Sequence, residues 1–174
     1  MSVQLNSNDG HSFVVPKELC AISQHIQDTL DISDQYEELP TMDLIQINGI
    51  MLEIIVNFMR EYHSNPFETL TRDTPYDSIP AYYRNLLETL KLIGTPNVDD
   101  VSLMSLMICG TSLQIEPLSS LIAYNMARLI KDKNLKQRFA LFDIPEDHVV
   151  NQADVEKLRE DYSYAFTNEQ EQEQ

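Results

Sequence analysis

Val3-Gln4-Leu5-Asn6-Ser7-Asn8-Asp9-Gly10-His11-Ser12-Phe13-Val14-Val15 opens the chain with two alternating runs around a turn. Val3 and Leu5 stand between polar neighbours, Phe13 and Val15 repeat the period of two, and Asn8-Asp9-Gly10-His11 supplies a turn in which Gly10 takes a positive φ cheaply. This pattern predicts a β-hairpin. Beyond it, Pro16 suits the first turn of a helix carrying Leu19 and Ile22, and Ser23 can cap a second short helix with Ile26 and Leu30 inward. Asp31 to Glu38 is acidic and loop-like. Met42 to Ile47 is a third strand candidate, and from Asn48 a helix carries Met51, Ile55, Phe58, Met59 and Tyr62 on one face.

From His63 to Pro80 the composition shifts to Pro, Thr, Asp and Ser, and prolines at 66, 75 and 80 favour an irregular crossing inside a domain. Tyr83 to Ile93 can be helical until Gly94-Thr95-Pro96-Asn97 breaks it. A further helix from Asp99 carries Leu103, Leu106 and Met107 and is expected to stop before Gly110. Leu118, Leu121, Ile122, Met126, Leu129 and Ile130 then recur at helical spacing. After Lys131-Asp132-Lys133, Asn134 can cap a helix with Leu135, Phe139 and Phe142 three or four residues apart. A last helix can open at Asn151, with Asp154 in a capping-box-like place and Val155, Leu158, Tyr162 and Phe166 along one side. The expected class is α+β: a small three-stranded sheet packed by helices, with helices appended at the end. Two short terminal helices have little to bury against, so their apolar stripes either fold back or grip another molecule.

With 174 residues, one domain and an appendage can bury roughly 70% of the unfolded surface. Twenty-eight acidic against twelve basic residues give a net charge of −16, which repels nucleic-acid phosphates and anionic membrane surfaces alike. Residues 167–174 form an acidic tail too polar to order itself. Cys20 and Cys109 are two, far apart and within apolar patterns, so they read as reduced core thiols. No basic region followed by an apolar run stands near the amino terminus, and the longest apolar stretch is too short for a bilayer. The expectation is a soluble protein of cytoplasm or nucleus. Enzymatic motifs are missing: there is no phosphate loop, no His-Glu-x-x-His, no Cys-x-x-Cys and no Gly-x-Ser-x-Gly. His11, His25, His63 and His148 lack metal-ligand spacing, so no catalytic residue, cofactor or metal is assigned.

Several strings, in order, resemble one family. The strand–turn–strand opening through Asn8-Asp9-Gly10 and the helix at Ile26 to Leu30 are similar to the start of the Skp family, adaptors of SCF (cullin–F-box) ubiquitin ligases. Asp77-Ser78-Ile79-Pro80-Ala81-Tyr82 resembles the family's Asp-Asp-Ile-Pro-x-Trp, with Tyr82 at the tryptophan. Leu113-Gln114-Ile115 resembles its Leu-Asp-Ile turn, and Ala127-Arg128-Leu129-Ile130-Lys131 its Ala-x-Met-Ile-Lys helix end. The register holds through Phe142-Asp143-Ile144, and Leu158-Arg159-Glu160-Asp161 is similar to the family's final Val-Arg-Lys-Glu-Asn-x-Trp helix, with Tyr162 or Tyr164 for its tryptophan.

The resemblance implies a BTB/POZ fold over residues 1–130 and F-box-binding helices over residues 131–166. It implies F-box contacts at Ile115, Leu118, Leu135, Phe139, Val155, Leu158, Tyr162 and Tyr164, and cullin contacts at Thr111, Ser112 and Leu113. Such an interface should reach ~2,000 Å² or more. Departures accompany it: Thr111-Ser112-Leu113 replaces the family's Asn-Tyr-Leu, Asn134-Leu135-Lys136-Gln137 replaces Thr-Pro-Glu-Glu, and about nine residues are added between Leu87 and Leu103. Two readings stay open: a non-catalytic adaptor joining F-box proteins to a cullin, or a Skp-like assembly subunit that binds F-box proteins or forms a homodimer through its BTB face without a cullin.

Overall fold

The computed structural model describes residues 2–33 (backbone only at 32 and 33), 39–71, 73–90, 101–144 and 156–157. Contacts divide the chain into two units, Met1–Lys133 and Asn134–Gln174. The first begins with the hairpin: β1 (Ser2–Ser7) pairs antiparallel with β2 (Ser12–Pro16), Leu5 opposite Phe13. β1 also pairs in parallel with β3 (Thr41–Leu44), Leu5 opposite Met42, so it is the central strand of three. Its alternation buries Val3, Leu5 and Ser7. The third strand ends at Leu44, because Ile45 and Gln46 turn the chain toward the next helix instead of continuing to Ile47.

Between β2 and β3 lie α1 (Lys17–Cys20) and α2 (Gln24–Ser33), which place Cys20, Ile26 and Leu30 in the core. α3 (Gly49–Ser64) follows, with Asn48 as its cap accepting from the Met51 N–H at 2.8 Å. Its buried residues Met51, Leu52, Ile55, Val56, Phe58 and Met59 form a broad apolar face that touches the sheet, α1 and α5. Residues 65–80 cross the surface irregularly, with one 3-10 turn at Tyr76–Ser78, yet the crossing is packed. Tyr83 explains much of this. On α4 (Ala81–Thr89), its ring is wholly buried at 4.8 Å from Phe67 and 5.6 Å from Phe58, and its hydroxyl donates to the Asn65 carbonyl at 2.8 Å. Burial also pushes its phenol well above the ordinary tyrosine range.

α5 (Leu103–Ser112) is capped by Ser102, whose side chain accepts from the Ser105 N–H while Ser105 returns the bond. The helix therefore starts after Ser102, not at Asp99. It also runs through Gly110 rather than stopping there. A Cβ at Gly110 would lie 3.2 Å from both Leu118 Cδ2 and Ser119 Oγ, so its missing side chain allows close approach of α6 (Glu116–Ile130). In α6, Leu118, Leu121, Ile122 and Asn125 are buried, while Met126, Leu129 and Ile130 are only half-buried. Residues 91–100, which hold Gly94 and the added segment, lie outside the described residues. Among the described residues no helix is long and apolar enough to cross a membrane.

The hairpin turn is tied to α3 by one carboxylate. Asp9 accepts from the Gly49 N–H at 2.9 and 3.0 Å, from Ser7 Oγ, and from His11 Nδ1 at 3.2 Å. A Cβ at Gly49 would meet His11 Nδ1 at 2.5 Å, so a side chain there would displace the imidazole that donates to Asp9. The hydrogen bonds from Ser7 first, then Gly49, hold the Asp9 carboxyl far below the usual carboxylate range. A carboxylate lowered on folding stabilises the fold above the unfolded pKa of about 3.8, and the contribution disappears as pH falls through the depressed folded value. Asp9→Asn should therefore melt below the wild type at pH 7, with the gap narrowing in melts at progressively lower pH. Equal melting temperatures at pH 7 would show that the tether carries no stability.

Candidate functional site

The turn between α5 and α6 is a wedge into the first unit. Gln114 takes φ 53°, which reverses the chain and sends Leu113 and Ile115 inward, both essentially inaccessible. Ser23 at the start of α2 receives them: its buried hydroxyl donates to the Leu113 carbonyl at 2.5 Å and accepts from the Ile26 N–H at 3.3 Å. The Gln24 N–H donates to the Gln114 carbonyl, and Ser23 bridges Ile115. This placement corrects three assignments. Leu113, Ile115 and Leu118 are core residues of the first unit, so their side chains do not form a contact surface; the inward turn and the close α5–α6 approach bury them. Thr111 and Ser112, by contrast, are exposed.

Next to this turn, α2, the end of β3 and α5 enclose an open groove of about 170 Å³, lined among others by His25, Asp43, Ile45, Cys109, Ser112 and Leu113. Ile45 at its edge is 77% exposed. Ile108 is 60% exposed and stands one helical turn before Ser112 on the same face of α5. Ile45 lines the groove, whereas Ile108 does not line it and neighbours it only through Ser112; both leave apolar area in water. Neither isoleucine stands out as a contact residue in the sequence. For Ile45 a signal existed: Leu44 and Ile45 are adjacent, so a strand carrying both must turn one of them away from the core. Ile108 lies in the unbroken apolar run Leu106-Met107-Ile108-Cys109, which hides which side faces out.

The second unit contains α7 (Leu135–Leu141), capped by Asn134 in a reciprocal box with Gln137. It ends where Asp143 takes φ 51° and the Ile144 N–H returns to the Phe139 carbonyl at 2.9 Å. Leu135 is 66% exposed and Phe139 half-buried. Val155, Leu158, Tyr162 and Tyr164 lie outside the described residues.

The thiols are set for packing. Burial first, and Glu18 second, push Cys20 up to about 11, and burial raises Cys109, which sits against Met51 Sδ at 2.9 Å. A thiol so raised is protonated at neutral pH and a poor nucleophile. Among the described residues no group of three or more His, Cys, Asp or Glu side chains is arranged to hold a metal ion.

A three-stranded mixed sheet, helices packed around a central α3 and an apolar-edged groove define an α+β domain of the BTB/POZ class. Residues 1–64 match the model of the Skp1 family, tetramerisation domain. Two proteins of Dictyostelium discoideum, SCF ubiquitin ligase complex protein SKP1a and SCF ubiquitin ligase complex protein SKP1b, are each 25% identical over 149 residues. In each case the similarity covers 83% of this chain and 85% of the relative. The chain is thus similar to proteins of the Skp family over most of its length.

The Ser23 anchor gives a direct check on the turn. Ser23→Ala orphans the Leu113 carbonyl and removes the Ile26 cap, so urea unfolding should show a loss of about 1–3 kcal/mol at unchanged m-value. A loss below about 0.5 kcal/mol, the range of ordinary surface substitutions, would mean the turn is held by packing alone.

Proposed function

We propose that the protein is a non-catalytic adaptor of an SCF-type ubiquitin ligase, holding an F-box protein through its carboxyl-terminal helices and a cullin through the groove beside Ser112. The carrying observation is the extent of the likeness to the two SCF complex proteins. Their similarity covers 83% of the 174 residues, more than the 133 residues of the first unit, so it continues into the second. An adaptor needs two separate contact surfaces, and the exposed apolar residues supply candidates: Ile45 and Ile108 around the groove, Leu135 on α7. Phe139, Val155, Leu158, Tyr162 and Tyr164 extend the second surface in this reading, and Thr111 and Ser112 the first. Ser112 itself favours one alternative, a Skp-like assembly subunit that binds F-box proteins or a second copy of itself without a cullin, because a serine offers no large anchor there.

Mixing the purified full chain with an F-box module and with a cullin amino-terminal domain, followed by size exclusion and calorimetry, separates these readings. The adaptor holds both at once; F-box binding or dimer formation without cullin binding supports the alternative, and failure to hold an F-box module overturns both. Ile45→Asp should weaken the cullin about tenfold or more while leaving F-box affinity and melting temperature unchanged, since the side chain is already in water. Leu135→Asp should do the reverse. Tyr162→Ala or Tyr164→Ala should cost ~2 kcal/mol of F-box affinity, the loss typical of an aromatic anchor. Unchanged affinity in both tyrosine variants would remove the terminal residues from the contact.

A further inference from the structure

Tyr76 stands half-exposed in the 3-10 turn of the crossing, held by charged groups on three sides. Its hydroxyl donates to Glu88 Oε1 at 2.9 Å. The Arg128 guanidinium of α6 lies 4.0 Å over its ring. Its neighbour Asp77 accepts from Arg84 Nη1 at 3.4 Å, and Arg84 is four residues before Glu88 on the same face of α4. One atom in this cluster is unexplained: Arg84 Nε is buried and has no hydrogen-bond partner. Buried donors without an acceptor are rare and costly, and the nearby carboxylates are already engaged by Tyr76 and by Arg84 Nη1.

We propose that Tyr76 is a phosphorylation site whose phosphate is received by Arg84 and Arg128. A tyrosine kinase would place Tyr76 Oη in line with the γ-phosphorus of ATP. The Oη–P bond forms, the bond from that phosphorus to the β–γ bridging oxygen breaks, ADP leaves, and the phenolic proton passes to the kinase's base. The product has no proton to give Glu88, and repulsion sends that exposed carboxylate into water. The phosphate oxygens then supply the acceptor that Arg84 Nε lacks, and guanidinium forks match phosphate geometry. Arg128 belongs to α6, and Tyr124 of α6 already donates to the Thr74 carbonyl at 2.7 Å, two residues before Tyr76. The phosphate thus adds a charged link to an existing clasp between the crossing and α6. Among the described residues no other tyrosine has a guanidinium over its ring, and Tyr83 is buried beyond a kinase's reach.

Two measurements on the full-length protein decide it. With phosphotyrosine placed at position 76 by genetic incorporation, phosphorus NMR follows the second ionisation of the phosphate, ordinarily near pH 6. Two flanking guanidinium groups favour the dianion, so the midpoint should fall by about half a unit or more relative to an Arg84→Gln, Arg128→Gln double variant. Far-ultraviolet circular dichroism confirms that this variant is folded; were it not, wild-type phosphoprotein unfolded in urea is the reference. A midpoint equal to or above the reference would place the phosphate with Glu88 or in water and overturn the proposal. Separately, folded wild-type protein incubated with magnesium ATP and a broad-specificity tyrosine kinase should be labelled at Tyr76 by peptide mapping. Labelling there only after denaturation would also overturn it.

Discussion

Helix α3 must be covered on more than one side, and the first unit is arranged to do this. At about 100° per residue, Met51, Leu52, Ile55, Val56, Phe58 and Met59 occupy an arc of about 160°, wider than the stripe of a helix that lies on a sheet with its back to water. A three-stranded sheet is too small to cover that arc alone. α1, α5 and the aromatic residues of the crossing cover the rest, with Phe67 and Tyr83 meeting Phe58 and Tyr62. The start of α3 is fixed as firmly as its flank, by the Asn48 cap and by the Asp9 carboxylate, whose charge complements the positive end of the helix.

That constraint divides the apolar residues into two populations. Those that complete the coat around α3 are inaccessible, Leu113, Ile115 and Leu118 among them, and support a contact surface only by setting the backbone that carries it. Among the described residues those left in water are Val14, Leu39, Ile45, Ile50, Ile108, Leu135 and Ile144, of which Ile45 lines the groove and Leu135 stands on α7.

The hairpin, the cap at Asn48, the apolar face of α3 and the helix at Asn134 are legible in the sequence because each follows from local rules: alternation, a turn glycine, a side-chain cap, a 3.6-residue period. The α+β class follows from their order. Gly110 shows where local rules mislead. Its place near a helix end suggested a stop, but its use is the close approach of α6, a contact with residues that local propensity does not include. The third strand ends before Ile45 for a similar reason: Ile45 has strand propensity, and the turn toward α3 overrides it.

For the proposed contact surfaces, the sequence determined residue type and spacing in the Thr111-Ser112-Leu113 string and in the Leu135, Phe139 and Phe142 stripe. Only the tertiary structure decided which side chains within them face outward. Inside and outside are properties of what packs against a residue from far along the chain: Ser23 drawing in Leu113 across ninety residues, and no segment among the described residues drawing in Ile45. The periodicity of a helix shows that it has an apolar face, and the hydrogen bonds and contacts of the fold decide how much of that face the molecule covers itself.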